Sequence, residues 1–269
     1  MRHERIHGGG RCSLRLARSR EEVRSAQRLR WMIFAEEQGA ELDTPEQGYD
    51  IDDLDEHCQH LIVTSASGAV IGTYRLLTAD AARTAGGYYS EGEFELDGLF
   101  RSDRKLLEIG RSCVLPEYRT GSTIALLWSG VAEFLVSSGH DALIGCASIP
   151  LEAAPAAAAC LARSLAHSYP APPELTVVPR LTLPFGCDVP DVAVSVPPLL
   201  KGYLRSGAVV CGEPCWDPAF NCADLFLYLG IDQLSGRYAR RFLPGADDFR
   251  VLAAVDQPAA SSYRSGMRA

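Results

Sequence analysis

The chain has 269 residues, of which 47% are hydrophobic and 22% charged, and its 34 acidic against 26 basic residues give a formal net charge of −8. A chain of this size and composition buries enough apolar surface to fold without disulfide or metal staples, which excludes general disorder. Duplex DNA binding is disfavoured, because affinity for the phosphate backbone depends on a cationic face. We therefore expect no nucleic-acid partner.

The negative charge is concentrated in one segment. Residues 36–56 hold ten of the 34 carboxylates and none of the 26 basic residues, so the rest of the chain is weakly basic. A concentrated acidic segment attracts cationic ligands. A solvated acidic loop is the alternative, and the sequence leaves it open.

Compartment and redox state follow from what the sequence lacks. No apolar run approaches the ~20 residues that span a bilayer, and the N-terminal stretch has no apolar signal-peptide core, so we expect a cytoplasmic location. The nine cysteines are spread over the whole chain, which is typical of buried free thiols. Cys211, Cys215 and Cys222 lack a CxxC step and a fourth ligand, so we predict no metal site.

Hydrophobic periodicity and turn residues predict a series of elements. The first helix is the clearest, since Ser19 is a suitable N-cap and Glu21 and Glu22 stand in the first turn. In chain order we predict a strand over 13–16, this helix, strands over 60–64 and 70–77 joined by a turn, a strand over 106–114, a helix over 122–137, a strand over 142–147, a helix over 152–167, and closing strands over 209–212 and 224–229.

The order of these elements predicts an α/β or α+β domain built on a mixed sheet. We expect a single domain over 12–250, between a disordered N-terminus over 1–11 and a flexible tail over 251–269. The proline-rich stretch 170–198 would be an irregular excursion within that domain. The dinucleotide-binding, P-loop and nucleophile-elbow motifs are absent, so nothing supports a nucleotide-dependent enzyme or an α/β hydrolase.

The strand over 106–114 carries the candidate catalytic residues Glu108 and Arg111. These would face opposite sides of a regular strand, because side chains alternate. Gly110 between them favours a β-bulge, which would turn both onto one face and leave backbone N–H groups unpaired. A carboxylate beside free N–H groups offers the base and the oxyanion donors that acyl transfer needs. An ordinary ion pair in a strand is the alternative.

Short motifs also run in order through residues 24–242. They are Arg30-x-x-x-Phe34, Asp52-x-x-Asp55, His60-Leu61, Gly72-Thr73-Tyr74-Arg75-Leu76-Leu77, Tyr89-x-x-x-Glu93-Phe94, Glu108-x-Gly110-Arg111-Ser112-Cys113-Val114, Tyr118-Arg119, Leu127-Trp128, Gly145-Cys146-Ala147-Ser148, Pro197-Pro198-Leu199-Leu200-Lys201-Gly202-Tyr203-Leu204 and Phe220-Asn221-x-x-Asp224. Together they resemble the ornithine-lipid N-acyltransferases, a hemolysin-like family of the GNAT superfamily. Several positions are shared with acyl-homoserine-lactone synthases and long-chain N-acyl amino acid synthases.

This resemblance implies a GNAT-like fold with a mixed, mostly antiparallel central sheet flanked by helices. It also implies transfer of a 3-hydroxyacyl chain from acyl carrier protein to the α-amine of ornithine, giving lyso-ornithine lipid. The carrier thioester would be a co-substrate, with no other cofactor, and the lipid product would bring peripheral contact with the inner face of the membrane. The alternatives are another amine acceptor with the same donor, or a non-catalytic acyl-carrier or lipid-binding protein.

The resemblance also implies a role for individual residues. Glu108 would be the general base, with Arg111 beside it. The residues implied in substrate binding are Arg30, Phe34, Asp52, Asp55, Arg75 and Asp224. Those implied in holding the thioester oxygen and the pantetheine arm are Ser112, Cys113, Val114 and Arg119. A covalent route through Cys113 or Cys146 is disfavoured, because an amine attacks a thioester directly and no His is near either thiol in sequence.

An acidic acyl carrier protein would need a basic docking surface beside the thioester entrance. We prefer Arg101, Arg104 and Lys105, which stand just before the catalytic strand, and Lys201 and Arg205 lie further on. The run Asn221-Cys222-Ala223-Asp224 departs from the family pattern, which has hydroxyl residues in the middle. This departure leaves the identity of the acceptor open.

Overall fold

The computed structural model describes the backbone of residues 3–7 and 10–11, and backbone and side chains of residues 12–101, 103–187 and 194–234. The helices are α1 (Arg20–Trp31), α2 (Ala79–Ala85), α3 (Gly121–Ser137), α4 (Pro155–Ser168) and α5 (Pro198–Ser206). The strands are β1 (His3–His7), β2 (Gly10–Leu16), β3 (Gln59–Thr64), β4 (Val70–Thr78), β5 (Phe94–Glu95), β6 (Leu106–Val114), β7 (Ala142–Pro150), β8 (Val178–Pro179), β9 (Val209–Val210), β10 (Cys215–Asp217) and β11 (Cys222–Gly230). The predicted tail over 251–269 lies outside the described residues.

The main sheet has the strand order β1-β2-β3-β4-β6-β7-β11-β10, with β9 added against β11. Neighbouring strands are antiparallel throughout this order except for β6 and β7, which are parallel. The predicted mixed, mostly antiparallel sheet is therefore confirmed. A separate pair, β5 with β8, lies off the main sheet. No helix in the described part of the chain is long and apolar enough to cross a membrane.

Helix α1 begins where the sequence predicts. The Ser19 side chain accepts a hydrogen bond from the Glu22 N–H, and Glu21 and Glu22 occupy the positive end of the helix. The helix runs on into a π-helical turn over Met32–Glu37. Phe34 lies within this widened turn, and such turns are often found at functional sites.

The helices cover the sheet unevenly. Helices α3, α4 and α5 contribute to one continuous apolar cluster with strands from both ends of the sheet, while α1 packs on β3, β4 and β6. Gly130 lets α3 approach closely, because a Cβ there would lie 2.7–2.8 Å from side-chain atoms of Leu14 and Leu61. The apolar cluster includes Leu107, Ile109 and Val114 of β6 and therefore fixes the position of this strand, which carries the candidate site.

The structure corrects two features of the predicted organisation. Residues 3–7, expected in a disordered N-terminus, form strand β1 against β2, and β2 begins at Gly10 rather than at residue 13. Edge pairing uses backbone groups and needs no apolar pattern, so the polar sequence of this strand carries no periodic signal. The second feature is helix α5, which is not among the predicted elements. It begins at Pro198, and proline is accepted at the first helical position because the N–H that proline lacks has no intrahelical partner there.

The sheet opens between its two parallel strands. β6 and β7 pair only from Leu106 opposite Ala142 to Glu108 opposite Ile144, and beyond that point they separate. The divergence begins at Gly145, where φ is 156° and a Cβ would lie 2.3 Å from the carbonyl oxygen of Ile109. Only glycine fits this close approach. The opening therefore starts directly after Glu108.

Candidate active site

A β-bulge follows Glu108 on β6. Cys113 lies opposite Thr73 and Gly110 opposite Arg75, so Arg111 and Ser112 together oppose the single residue Tyr74. The predicted bulge is thus present, but the residue with left-handed backbone is Arg111, with φ of 48°, and not Gly110. Gly110 keeps its place opposite Arg75 in the ladder. A non-glycine residue in this conformation is strained and persists only where its surroundings hold it.

The Glu108 carboxylate is buried at the apex of the opening, with 4% of the residue exposed. It accepts hydrogen bonds from the backbone N–H groups of Tyr89 (2.7 Å) and Ser90 (2.9 Å), and a further short one from the Ser90 hydroxyl. Burial raises the pKa of Glu108 above its ordinary value, and these hydrogen bonds oppose that rise without cancelling it. A carboxylate with a raised pKa and a defined position is suited to proton transfer.

Three arginines and three aspartates form a closed ring of ion pairs beside the bulge. Arg30 lies between Asp50 (2.8 Å) and Asp55 (2.6 Å), Arg75 between Asp55 (3.2 Å) and Asp52 (2.5 Å), and Arg111 between Asp52 (3.7 Å) and Asp50 (3.1 Å). Every member therefore contacts two partners of opposite charge, and the formal charges cancel. The ring joins the acidic segment to β4, β6 and α1, and it holds the Arg111 side chain at the bulge.

The ring changes the interpretation of the acidic segment. Asp55 is 5% exposed and also accepts a hydrogen bond from the Gln27 side-chain amide. Burial alone would raise the pKa of Asp55, but Arg30 and Arg75 outweigh it and bring that pKa to about 2. This carboxylate is already compensated by two guanidinium groups. Its placement does not support the expectation that it contacts a cationic acceptor directly.

Two cavities flank Arg111. The larger, about 430 Å³, runs through the opening of the sheet, because its walls include both Glu108 and Ile109, which face opposite sides of β6. The smaller, about 340 Å³, lies beside the ring and the β10–β11 hairpin. Both cavities are lined by Tyr89, Arg111, Asp217 and Phe220. The Arg111 guanidinium lies over the rings of Tyr89 (4.7 Å) and Phe220 (5.0 Å), so these three side chains form the partition between the two cavities.

The predicted site residues divide into two groups by their placement. Those that line one or both cavities are Phe34, Asp52, Arg75, Glu108, Arg111, Ser112 and Asp224. Those that line neither are Arg30, Asp55, Cys113, Val114 and Arg119. Cys113 packs in an apolar cluster with residues of α1 and its π-helical turn. Arg119 makes a two-pronged ion pair with Glu37, at 2.6 and 2.7 Å, just before helix α3.

The preferred docking residues lie at the other end of the strand. Arg101, Arg104 and Lys105 precede the closed, paired end of β6, about 20 Å along the strand from the bulge at ~3.3 Å per residue. None of the three lines either cavity. The Arg104 guanidinium donates to the Tyr228 hydroxyl at 2.6 Å and is therefore part of the local structure. Carrier docking at these residues stays a prediction that their position does not favour.

Several residues of the site are missing from the sequence prediction. Asp50 completes the ring, Ser90 holds Glu108, and Glu93 lies beside the smaller cavity. The two oxygens of the Glu93 carboxylate are buried beside the Tyr89 hydroxyl and the Cys146 thiol, but neither contact has hydrogen-bond geometry. Burial and the neighbouring Asp224 carboxylate raise the pKa of Glu93 to about 9. Glu93 does stand in one of the family motifs, but a motif position alone assigns no role.

The chemistry of the thiols bears on metal binding and on covalent catalysis. Asp217, Cys222 and Asp224 have potential ligand atoms within 4.8 Å of one another. Burial and the two carboxylates raise the pKa of Cys222, whose thiol donates to Asp224. Burial likewise raises the pKa of Cys113 to about 12 and that of Cys146 well above its ordinary value. Neither thiol is activated as a nucleophile.

Comparison with known proteins agrees with this geometry. Residues 29–129, which include the ring, the bulge and most of α3, match the model of the acetyltransferase (GNAT) domain. The L-ornithine N(alpha)-acyltransferase of Rhizobium meliloti (strain 1021) is 39% identical over 260 residues, covering 90% of this chain and 86% of that protein. That of Agrobacterium fabrum (strain C58 / ATCC 33970) is 37% identical over 85% of this chain and 84% of that protein. The chain belongs to the L-ornithine N(alpha)-acyltransferase family.

The fold also has a solved relative. The structure of FeeM, an N-acyl amino acid synthase from uncultured soil microbes, superposes with a TM-score of 0.50, covering 95% of this chain and 100% of that one at 12% identity. As a member of its family the protein is an acyltransferase with the GNAT fold, as predicted. The catalytic candidates Glu108 and Arg111 lie inside the matched GNAT region, whereas Asp224 lies outside it.

Proposed function

We propose that this protein transfers a 3-hydroxyacyl chain from acyl carrier protein to the α-amine of ornithine, giving lyso-ornithine lipid. The observation that carries the proposal is the opening between β6 and β7, which has a buried carboxylate at its apex and a β-bulge directly beyond it. The names of the curated relatives support ornithine as the acceptor. The carrier-bound thioester serves as co-substrate, and no further cofactor enters this scheme.

The larger cavity suits the donor. It passes through the sheet, so an acyl thioester can place its carbonyl at the bulge while the chain extends to the other face. That far side is lined by Leu199, Leu200 and Tyr203 of α5. The Tyr203 hydroxyl is hydrogen-bonded to the Tyr74 hydroxyl (2.7 Å) and so does not present an unpaired polar group to the acyl chain. The backbone of β6 beyond Glu108 has no partner strand on the β7 side among the described residues, which leaves that edge for the pantetheine amides.

The reaction joins the two substrates at the bulge. The neutral α-amine attacks the thioester carbonyl carbon, the C–N bond forms, and the oxyanion is held by a backbone N–H at Ser112. The C–S bond then breaks, and the carrier thiol leaves. Glu108 takes the proton that the amine nitrogen loses, directly or through water, and that proton neutralises the departing thiolate. Arg111, the member of the ring that lines both cavities, is placed to bind the acceptor carboxylate.

The product accounts for a membrane contact in this proposal. An acylated ornithine is amphiphilic, and its release is favoured at a lipid surface. Val178 and Leu181 are about half exposed, and Leu181 lines the smaller cavity. A cytoplasmic protein that touches the inner face of the membrane there would deliver its product directly.

The proposal is tested with the purified protein, 3-hydroxyacyl carrier protein and ornithine, with products read by mass spectrometry. We expect N-acyl ornithine, with acyl carrier protein preferred over coenzyme A as the carrier of the same chain. Lipid extracts of cells that express the protein should contain the corresponding phosphorus-free lyso-lipid. Absence of acylated ornithine, together with acylation of a different amine, would contradict the proposed acceptor.

A further inference from the structure

Two carboxylates with buried oxygens beside the cavities, those of Glu93 and Asp224, have no ion-pair partner among the described residues. The ring neutralises Asp50, Asp52 and Asp55 internally, as described above. Glu93 and Asp224 take part in none of the ion pairs that the described residues form. An amino acid with a second amine carries an extra positive charge, and the ring has no unpaired carboxylate to receive it. The carboxylates of Glu93 and Asp224 are unpaired and can receive that charge.

Glu93 and Asp224 come from different segments of the chain, and their carboxyl groups are close enough for each to affect the pKa of the other. Asp224 of β11 lies opposite Ser148 of β7, and continuing the β6–β7 register past Glu108 and Ile144 brings Ser148 level with Ser112 of the bulge. Asp224 lines the larger cavity and Glu93 lines the smaller. Glu93 ends the short turn whose backbone N–H groups hold Glu108, so its position relative to the catalytic carboxylate is fixed.

Neither carboxylate has the cationic partner that a buried charge normally requires. The buried oxygens of Glu93 lie beside the Tyr89 hydroxyl and the Cys146 thiol, but neither contact has hydrogen-bond geometry. Asp224 is 3% exposed, and its carboxylate lies beside the Ser148 hydroxyl and accepts a hydrogen bond from the Cys222 thiol, a weak donor, at 3.4 Å. Burial raises the pKa of each carboxyl group, and each carboxylate is close enough to raise the pKa of the other further or to share its proton. An ammonium ion between them would satisfy both carboxylates and lower both pKa values.

We propose that Glu93 and Asp224 bind the side-chain ammonium of the acceptor and so select a diamino acid over a neutral amino acid of the same length. The α-carboxylate would lie at Arg111 and the α-amine at the thioester, with the side chain directed towards β11. Asp217, which lines both cavities, adds negative charge to the same region. This inference rests on the proposed function, because it assumes that the acceptor is an amino acid acylated at the bulge.

The test is a competition between two acceptors that differ only in the second amine. Wild type, Glu93→Gln and Asp224→Asn are each given an equimolar mixture of L-ornithine and L-norvaline with the same acyl donor, and both products are quantified by mass spectrometry. Glu95→Gln is the matched control, because Glu95 is exposed, two residues from Glu93, and lines neither cavity. KM and kcat for ornithine are measured separately.

We expect the ornithine preference to fall about ten- to hundredfold in both variants, the range for loss of a charge-assisted hydrogen bond. The fall should come mainly from a higher KM for ornithine, with norvaline acylation unchanged within a few-fold and Glu95→Gln equal to wild type. Unchanged norvaline acylation also shows that the variants are folded. Equal loss of both products, or an unchanged preference, overturns the inference. Failure of wild type to acylate ornithine overturns the proposed function instead.

Discussion

Arg111 and Asp50 are joined by a hydrogen bond of 3.1 Å from the arginine Nε to the aspartate Oδ2, and this contact closes the ring of ion pairs. Arg111 holds a strained left-handed backbone, with φ of 48°, in the bulge where the thioester is proposed to bind. Asp50 belongs to the acidic segment, 61 residues earlier in the chain. The acidic segment therefore has a structural role that its composition does not suggest: it supplies counter-ions that hold the bulge in place.

Replacing the candidate base isolates the chemical step. Glu108→Gln keeps the volume of the side chain and most of its hydrogen bonds, so we expect a folded protein whose kcat falls by ~10²–10⁴, the usual cost of losing a positioned base. Steady-state kinetics with saturating donor and acceptor measure the effect, and circular dichroism checks the fold. A folded variant with wild-type kcat would remove Glu108 from this role.

The Ser90 hydroxyl positions Glu108 and tunes its proton affinity. Removing this donor in Ser90→Ala takes away a hydrogen bond that favours the carboxylate form, so the pKa of Glu108 should rise. We expect the acid limb of the kcat/KM profile to move to higher pH, with activity recovered at alkaline pH. Ser90→Thr, which retains a hydroxyl, should move the limb less. A profile that falls uniformly without moving would indicate only a structural defect.

Asp55 should matter more for stability than for acceptor binding. Asp55→Asn leaves Arg30 and Arg75 without one buried counter-ion, a change that costs roughly 3–5 kcal/mol of unfolding free energy. Since the pKa of Asp55 is about 2 against an ordinary 3.8, its stabilising contribution is present above about pH 4 and is lost as the pH falls through about 2. Urea unfolding of Asp55→Asn and of the exposed control Asp53→Asn measures the difference. Wild-type stability with a tenfold higher acceptor KM would support direct acceptor contact instead.

Glu93 should destabilise the unliganded protein. The pKa of Glu93 rises from 4.5 to about 9 on folding. Between pH 4.5 and about pH 9 the folded state therefore binds more protons than the unfolded state, and the stability of the folded protein falls as the pH rises. Glu93→Gln removes this dependence, and we expect it to unfold at a higher temperature than wild type at pH 8–9 and at a similar temperature near pH 4. Thermal unfolding across this range measures the effect. A variant less stable than wild type at pH 8–9 would contradict it.

The position of the sheet opening predicts where the proposed donor, acyl carrier protein, would dock. The larger cavity is lined by the exposed residues Pro150 and Glu152 and by Pro197, which is one helical turn from the exposed Lys201 of α5, whereas Lys105 lies at the closed end of β6. Lys201→Glu should therefore raise the KM for the carrier-bound donor more than Lys105→Glu does, with the ornithine KM unchanged and the effect reduced by salt. The opposite order would support docking at Arg101, Arg104 and Lys105.

Local sequence was sufficient to predict much of the fold. The N-cap at Ser19 and the bounds of β6 at Leu106 and Val114 agree with the structure, because each depends on residues within a few positions of one another. The order of the elements was also enough to indicate a mixed sheet. The sequence also indicated a bulge on β6, although it lies at Arg111 and Ser112, directly after Gly110, which stays paired.

Tertiary structure decided which residues act together. Asp50, Arg111 and Arg30 meet only because β6 and the end of α1 bring distant segments into contact, and no local pattern records such a pairing. The same is true of Glu93 and Asp224, which are far apart in sequence and approach each other beside the two cavities. The sequence by itself determined most of the longer elements and the family motifs. Strand register and the separation of β6 from β7 decided which carboxylates are neutralised and which remain available to a substrate.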